Sequence, residues 1–144
     1  MNRTLRTMTA SLALGLAALG ATSARADDSL YQAWGRQDGI RAVVDDLLNR
    51  ATTDARIAHF FQKTDREHLA RQLTDQLCEQ AGGPCRYQGP SMAVAHEDMG
   101  VRRADFHALV ELLQQSMAAK GIPFVDQNRM LARLAPMHRD IVEP

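Results

Sequence analysis

The apolar residues of one short stretch, Ile40, Val43, Val44, Leu47, Leu48 and Ala51, recur every three or four positions. That spacing puts all six on one side of a helix, whereas a strand would scatter them over two faces. Asp38, with Gly39 beside it, is placed to cap the helix start. The same period runs through the rest of the chain. Ile57, Phe60 and Phe61 form a short turn begun by Asp54. Leu69, Leu73 and Leu77 are four apart behind Asp65, a second capping residue, and Gly82-Gly83-Pro84 ends their helix. Met92, Ala95, His96 and Met99 make a short amphipathic piece between Pro90 and Gly100. Phe106, Leu109, Val110, Leu113 and Met117 share one face of a long helix that stops at Lys120-Gly121-Ile122-Pro123. Val125, Met130, Leu131, Leu134 and Met137 belong to a last helix. Pro136 interrupts it, because proline lacks the N–H and clashes with the preceding turn. Nothing alternates with period two, so the expected fold is all-α with about five helices.

The first 26 residues stand apart. Arg3 and Arg6 precede an apolar run from Ala10 to Ala21, and Ala24-Arg25-Ala26 follows as a small-x-small cleavage pattern. These are the parts of a secretory signal peptide, so residues 1–26 are expected to be removed and 27–144 to form one domain. The apolar run is too short and too rich in Ala and Gly to span a bilayer, and no second candidate follows. The formal charge is zero. Removing Arg3, Arg6 and Arg25 from the 17 basic residues leaves 14 against 17 acidic ones. The basic residues are scattered among acidic ones, so no stripe suited to nucleic acid survives.

Cys78 and Cys85 both lie in the exported part, across "CEQAGGPC". An oxidising compartment favours a bond between them, and the Gly-Gly-Pro turn can bring them together. Such a loop is worth roughly 2–3 kcal/mol in the chain-entropy model. The alternative is a pair of metal ligands, for which no further Cys or His cluster lies nearby. Of the five histidines, His107 shares a helix face with Arg103, Glu111 and Gln114 and reads as solvated. His138, near the C-terminus, and His59, before Phe60-Phe61, read as solvent-facing. His68 borders the leucine stripe without joining it. His96 lies one turn after Met92 on a face that must be buried, since Glu97 and Asp98 take the other side. Spacing alone makes it a hydrogen-bonded core histidine more readily than a ligand. Phe60, Phe61, Tyr87 and Phe106 are too few for a dense aromatic core and suit the lining of a pocket.

The order of these signals resembles the group 1 truncated haemoglobins. "SLYQAWGRQDGIRAVVDDLLNRATTDARIAHFF" is similar to the family's opening, "GGPCRYQGPSMAVAHEDMGV" to its central signature, and "DFHALVELL" and "LAPMHRDIV" to its last two helices. The similarity runs from about Ser29 to Val142. It implies a shortened globin, a two-over-two helical sandwich, with haem b as cofactor and His96 as the proximal iron ligand. It places Phe61 on the haem face, Tyr87 at its border, Leu69, Leu73 and Leu77 on the distal side, and Met92, Val101 and Phe106 on the proximal side.

Two departures from the family stand out. The distal tyrosine and glutamine of group 1 proteins fall on Leu48 and Leu73, neither of which donates a hydrogen bond. Losing such contacts to a polarised ligand costs on the order of 1.5–3 kcal/mol, about one to two decades of affinity. Gln72 and Gln76, beside the stripe, are the candidates to replace the donor; Gln72 falls where some relatives carry a basic or histidine side chain. Met99 stands where some relatives have a propionate-binding arginine, and Thr64, His68 and Arg71 are the substitutes. The function implied is reversible binding of a diatomic gas (O2, NO or CO) at five-coordinate haem iron in the periplasm. The alternatives are a haem enzyme removing NO or peroxide with a separate reductase as redox partner, and a non-haem all-helical sensor or interaction domain.

Overall fold

The structure is a computed structural model that describes residues 28–143. The signal peptide expected over residues 1–26 lies outside the described residues. Every regular element among those described is helical: α1 (Ser29–Ala33), α2 (Arg36–Ala51), a 3-10 turn (Ala58–Phe61), α3 (Arg66–Gln80), α4 (Met92–Ala95), α5 (Arg103–Ala119), α6 (Phe124–Leu134), a 3-10 turn (Ala135–Met137) and α7 (His138–Ile141). The expectation of about five helices undercounts the short ones, α1 and α7, which are too brief to show a period. No helix among the described residues is long and apolar enough to cross a membrane.

Helix α2 buries its whole stripe, from Ile40 to Ala51. It packs on α3 along one flank and on α5 along the other. Arg41 bridges α2 to α3, with Nε 3.0 Å from Asp45 and Nη2 2.7 Å from Glu67 Oε2. These groups are largely in solvent, so the bridge adds little free energy beside the apolar contact. Helix α3 starts as the sequence indicates: the Asp65 carboxylate accepts the His68 backbone N–H at 3.0 Å. That bond holds the Asp65 carboxyl below its ordinary range. At the far end Gly82 takes a left-handed φ of 81°. The Gly82 N–H then reaches Glu79 O at 3.0 Å and the Gly83 N–H reaches Cys78 O at 2.9 Å. The pair is a Schellman cap, which needs a residue free to adopt positive φ. Helix α5 ends the same way, through Gly121 and Ile122.

Three expectations are corrected. Asp38 is not the cap of α2: the helix begins two residues earlier behind Gly35, and Asp38 lies in its first turn, where a carboxylate still suits the helix dipole. Val125 is not core but 64% exposed, because α6 turns Asp126, Gln127 and Met130 inward instead. His138 is half-buried rather than solvent-facing; its ring meets Phe106 edge-on, with centroids 4.9 Å apart. Pro136 does end α6, at Leu134, and a 3-10 turn carries the chain into α7. Trp34, which shows no period of its own, is almost fully buried where α1 meets α2.

The junction of α1 and α2 depends on Gly39. A Cβ there would overlap the Trp34 carbonyl oxygen, a backbone atom that cannot rotate away. Helix propensity alone would make Gly39→Ala stabilising by about 1 kcal/mol. The overlap reverses the sign, and a net loss of about 1–3 kcal/mol is expected, lowering the thermal midpoint by roughly 5–15 °C. A circular-dichroism melt checks this; an unchanged or raised midpoint would show that α1 moves aside at no cost.

Candidate functional site

A cavity of about 300 Å³ lies among α2, α3, α4 and α5, at the small end of the range for small-molecule pockets. Leu47 and Leu48 from α2, Phe60 and Phe61 from the 3-10 turn, and Leu69 and Leu73 from α3 make most of one wall. Met92, Ala95 and His96 around α4, with Met99, Val101, Phe106 and Leu109, make the other. Among the described residues no lysine or arginine lines it. Leu69, Gln72, Leu73 and Gln76 face it from α3, and Asp105, Phe106 and Leu109 from α5.

His96 is held by its own helix. Ser91 caps α4 by accepting the Val94 N–H at 3.3 Å, and the helix stops at Ala95, leaving His96 at its end. The Met92 carbonyl takes the His96 backbone N–H at 3.2 Å and lies 2.8 Å from His96 Nδ1. A carbonyl only accepts, so this contact puts the proton on Nδ1 and leaves the Nε2 lone pair free. A neutral imidazole oriented through its other nitrogen is how proteins present histidine to a metal. Asp98, with φ 58°, and Gly100, with φ 67°, turn the chain away immediately afterwards. The Gly100 N–H donates to Glu143 at 2.8 Å, which ties this corner to the C-terminal segment; Ile141 of α7 adds to the cavity wall.

The remaining polar groups are mostly engaged. Tyr87 donates its hydroxyl to Pro90 O at 2.9 Å, and burial raises its pKa, keeping the proton in place. Gln76 is buried, and its amide nitrogen faces Met92 Sδ at 3.2 Å and Met137 Sδ at 3.8 Å. The Asp105 carboxylate takes the Arg102 N–H at 2.9 Å, closing the first turn of α5. The Gln72 amide oxygen is buried with no hydrogen-bond partner.

The structure thus brings together on one cavity His96, Leu48, Phe61, Leu69, Gln72, Leu73, Gln76, Tyr87, Met92, Val101 and Phe106. Leu77 is buried in the core instead. Of the groups offered for propionates, Thr64 reaches the cavity, as does Met99, while His68 and Arg71 are exposed and do not line it. His59 and His107 are exposed as read from the sequence. Sequence reasoning missed Leu47, Ile57, Leu109 and Ile141 as lining residues. The first three sit in stripes already assigned to the core, and only the packing shows which end of a stripe is left uncovered.

Cys78 and Cys85 are bonded, with Cα atoms 5.7 Å apart. This excludes their alternative reading as metal ligands. The bond joins the end of α3 to the segment that carries Tyr87 and leads into α4.

The family model for bacterial-like globins matches residues 29–143. A group 1 truncated haemoglobin of Tetrahymena pyriformis is 32% identical over 94 residues, covering 65% of this chain and 78% of the relative. The chain belongs to the truncated haemoglobins. The group 1 truncated haemoglobin of Nostoc sp. strain MUN 8820 is 31% identical over 109 residues, covering 76% of this chain and 92% of the relative. The crystal structure of the Tetrahymena pyriformis protein in its Fe(III) form matches with a TM-score of 0.77 and 28% identity, over 80% of this chain and 98% of that one. The all-α, two-over-two globin fold expected from the sequence is therefore the fold of this truncated globin. Its disulfide closes a loop of seven residues, and breaking it in Cys78→Ser/Cys85→Ser is expected to cost about 2–3 kcal/mol. Urea unfolding of the oxidised protein against the variant reads this directly; equal midpoints would mean that the bond restrains nothing.

Proposed function

We propose that this globin holds haem b in the cavity, with His96 Nε2 as the protein ligand to iron, and reversibly binds a diatomic gas there. The observation that carries the reading is the Met92 carbonyl beside His96 Nδ1, which fixes the tautomer a metal requires. The apolar walls fit the faces of a flat, greasy cofactor, and the unpartnered Gln72 oxygen marks a polar position that the chain itself does not complete. When bound, haem iron supplies a coordination site for O2, NO or CO. The chain's own residues do the rest. Met92 orients the imidazole. Phe61, Leu69, Leu73, Val101 and Phe106 exclude water, which favours a neutral ligand and slows loss of an electron to solvent. Thr64, exposed and lining the cavity, offers a hydroxyl to a carboxylate of the cofactor.

Spectra of the haem-loaded chain, ferric and ferrous, with and without O2, CO and NO, test the reading. A Soret band and reversible shifts with added gas are expected. His96→Ala should weaken haem retention by at least about tenfold; retention with unchanged iron ligation would rule out His96 as the ligand.

We further propose that the protein works in the periplasm. The Arg-led apolar run ending at Ala24-Arg25-Ala26 supports export, and the Cys78–Cys85 bond suits an oxidising compartment. Expressed as the full chain in a Gram-negative cell, it should be recovered from the periplasmic fraction beginning at Asp27. An unprocessed cytoplasmic product would argue against export.

A further inference from the structure

The walls of the cavity are not equally fixed. Helices α2, α3 and α5 each bury a row of side chains and carry the core. Helix α7 is different. It is four residues long, and none of residues 138–143 is fully buried, yet Ile141 forms part of the cavity wall. A single turn is not stable by itself, so α7 is held by what it touches. At its root, the Gln76 amide nitrogen faces Met137 Sδ at 3.8 Å, and the His138 ring packs edge-on against Phe106. At its far end, Glu143 joins the corner after His96 twice. Its carboxylate accepts the Gly100 N–H at 2.8 Å, and its own N–H donates to Val101 O at 2.9 Å. Gly100 has a left-handed φ of 67°, while a Cβ there would meet nothing within 4 Å. The glycine therefore supplies backbone freedom rather than room, and the turn it makes presents the N–H to Glu143.

We propose that residues 138–143 are a strap across the cavity, latched by Glu143, and that its release opens the site for the cofactor to enter and leave; this rests on the haem reading above. A rigid macrocycle cannot pass between helices that stay packed, so part of the wall has to give way. The part that gives way is the one whose local opening costs least. Moving α2, α3 or α5 breaks the core. Swinging α7 about the turn at Ala135–Met137 breaks the two hydrogen bonds of Glu143 and lifts Ile141 off the cavity. Glu143 and Gly100 are both exposed, so water replaces the lost partners and the latch opens at a small cost. Pro136 confines the movement by fixing φ within the turn, and Met137 stays against Gln76. Helix α7 packs on α4, so the opening bares the side of the cavity that carries His96. Such a segment, short and held at its end by polar contacts, is the kind of element that gates a site.

The test measures transfer of haem from the loaded chain to excess apomyoglobin, with Glu143→Ala, Glu143→Gln and Glu97→Ala as variants. Alanine removes the acceptor, and glutamine keeps an acceptor oxygen without the charge. Glu97 is an exposed carboxylate at the same corner, so its loss changes the charge and leaves the latch intact. Transfer should quicken about fivefold in Glu143→Ala and stay within about twofold of the original in Glu143→Gln and Glu97→Ala. The Soret band and the ferrous CO spectrum should be unchanged in all three, because the Met92 carbonyl, not the latch, orients His96. The Val142 and Glu143 amides, bonded to His138 O and Val101 O, should exchange with deuterium ahead of those of α5, and faster still in Glu143→Ala. Transfer within about twofold of the original in Glu143→Ala would overturn the latch and leave the haem reading standing. Glutamine as fast as alanine, or equal quickening in Glu97→Ala, would overturn it by assigning the effect to charge. A shifted Soret band in Glu143→Ala would overturn it by making Glu143 a support of the iron ligand. A chain that takes up no haem would overturn the haem reading, and this inference with it.

Discussion

Everything in this fold hangs on α2 being buried from two sides. Its stripe meets α3 and α5 at once, and the six stripe residues are at most 5% exposed. A helix so placed cannot rotate without breaking both contacts, because interiors are packed to the density of organic crystals. Leu47 and Leu48 belong to that stripe and to the cavity wall together. The position of the cavity is thus fixed by the same burial that stabilises the chain, and the site requires no separate framework.

The other wall is made differently. Helix α4 is a single turn, too short to be stable alone. It is held from outside: Gln76 reaches Met92, the disulfide fixes the approach from α3, and Glu143 grips Gly100 from the C-terminal side. These restraints act on both ends of a segment whose middle carries His96. A short element pinned at its ends lets one side chain be placed accurately while most of its backbone stays near solvent. Ala93 and Val94 are exposed, three and two residues before a ring that lines an apolar cavity.

The long stripes were legible because burial on one face leaves a period in the sequence, and the stripes of α2 and α3 and most of that of α5 lie where the period put them. What the period cannot show is where a stripe ends its contact with protein and begins its contact with empty space. Leu109 and Leu113 are equivalent by spacing, yet Leu113 is core and Leu109 lines the cavity. Short elements escaped for the same reason: Trp34 and His138 sit in segments with too few turns to have a period, and tertiary contact alone buries them. Val125 shows the reverse error. One apolar residue at a helix start counts toward a stripe by spacing, but α6 meets its neighbours through Asp126, Gln127 and Met130. Spacing favoured a core role for His96, and the ordered signature around it pointed to a ligand; that the residue lines a cavity with its Nδ1 held by the Met92 carbonyl is what only coordinates supply.

The distal wall carries the most consequential choice. A donor fixed on a rigid leucine position would be aimed permanently and would hold water when no gas is present. Leucines at 48, 69 and 73 make that wall apolar and leave its polarity to Gln72 and Gln76, the first lying close against Gly89 and the Tyr87 hydroxyl. A side chain with three rotatable bonds pays more entropy to make one hydrogen bond than a stiff one does. A wall of this kind favours an unpolarised occupant over a polarised one, because burying a polar group without a partner costs free energy.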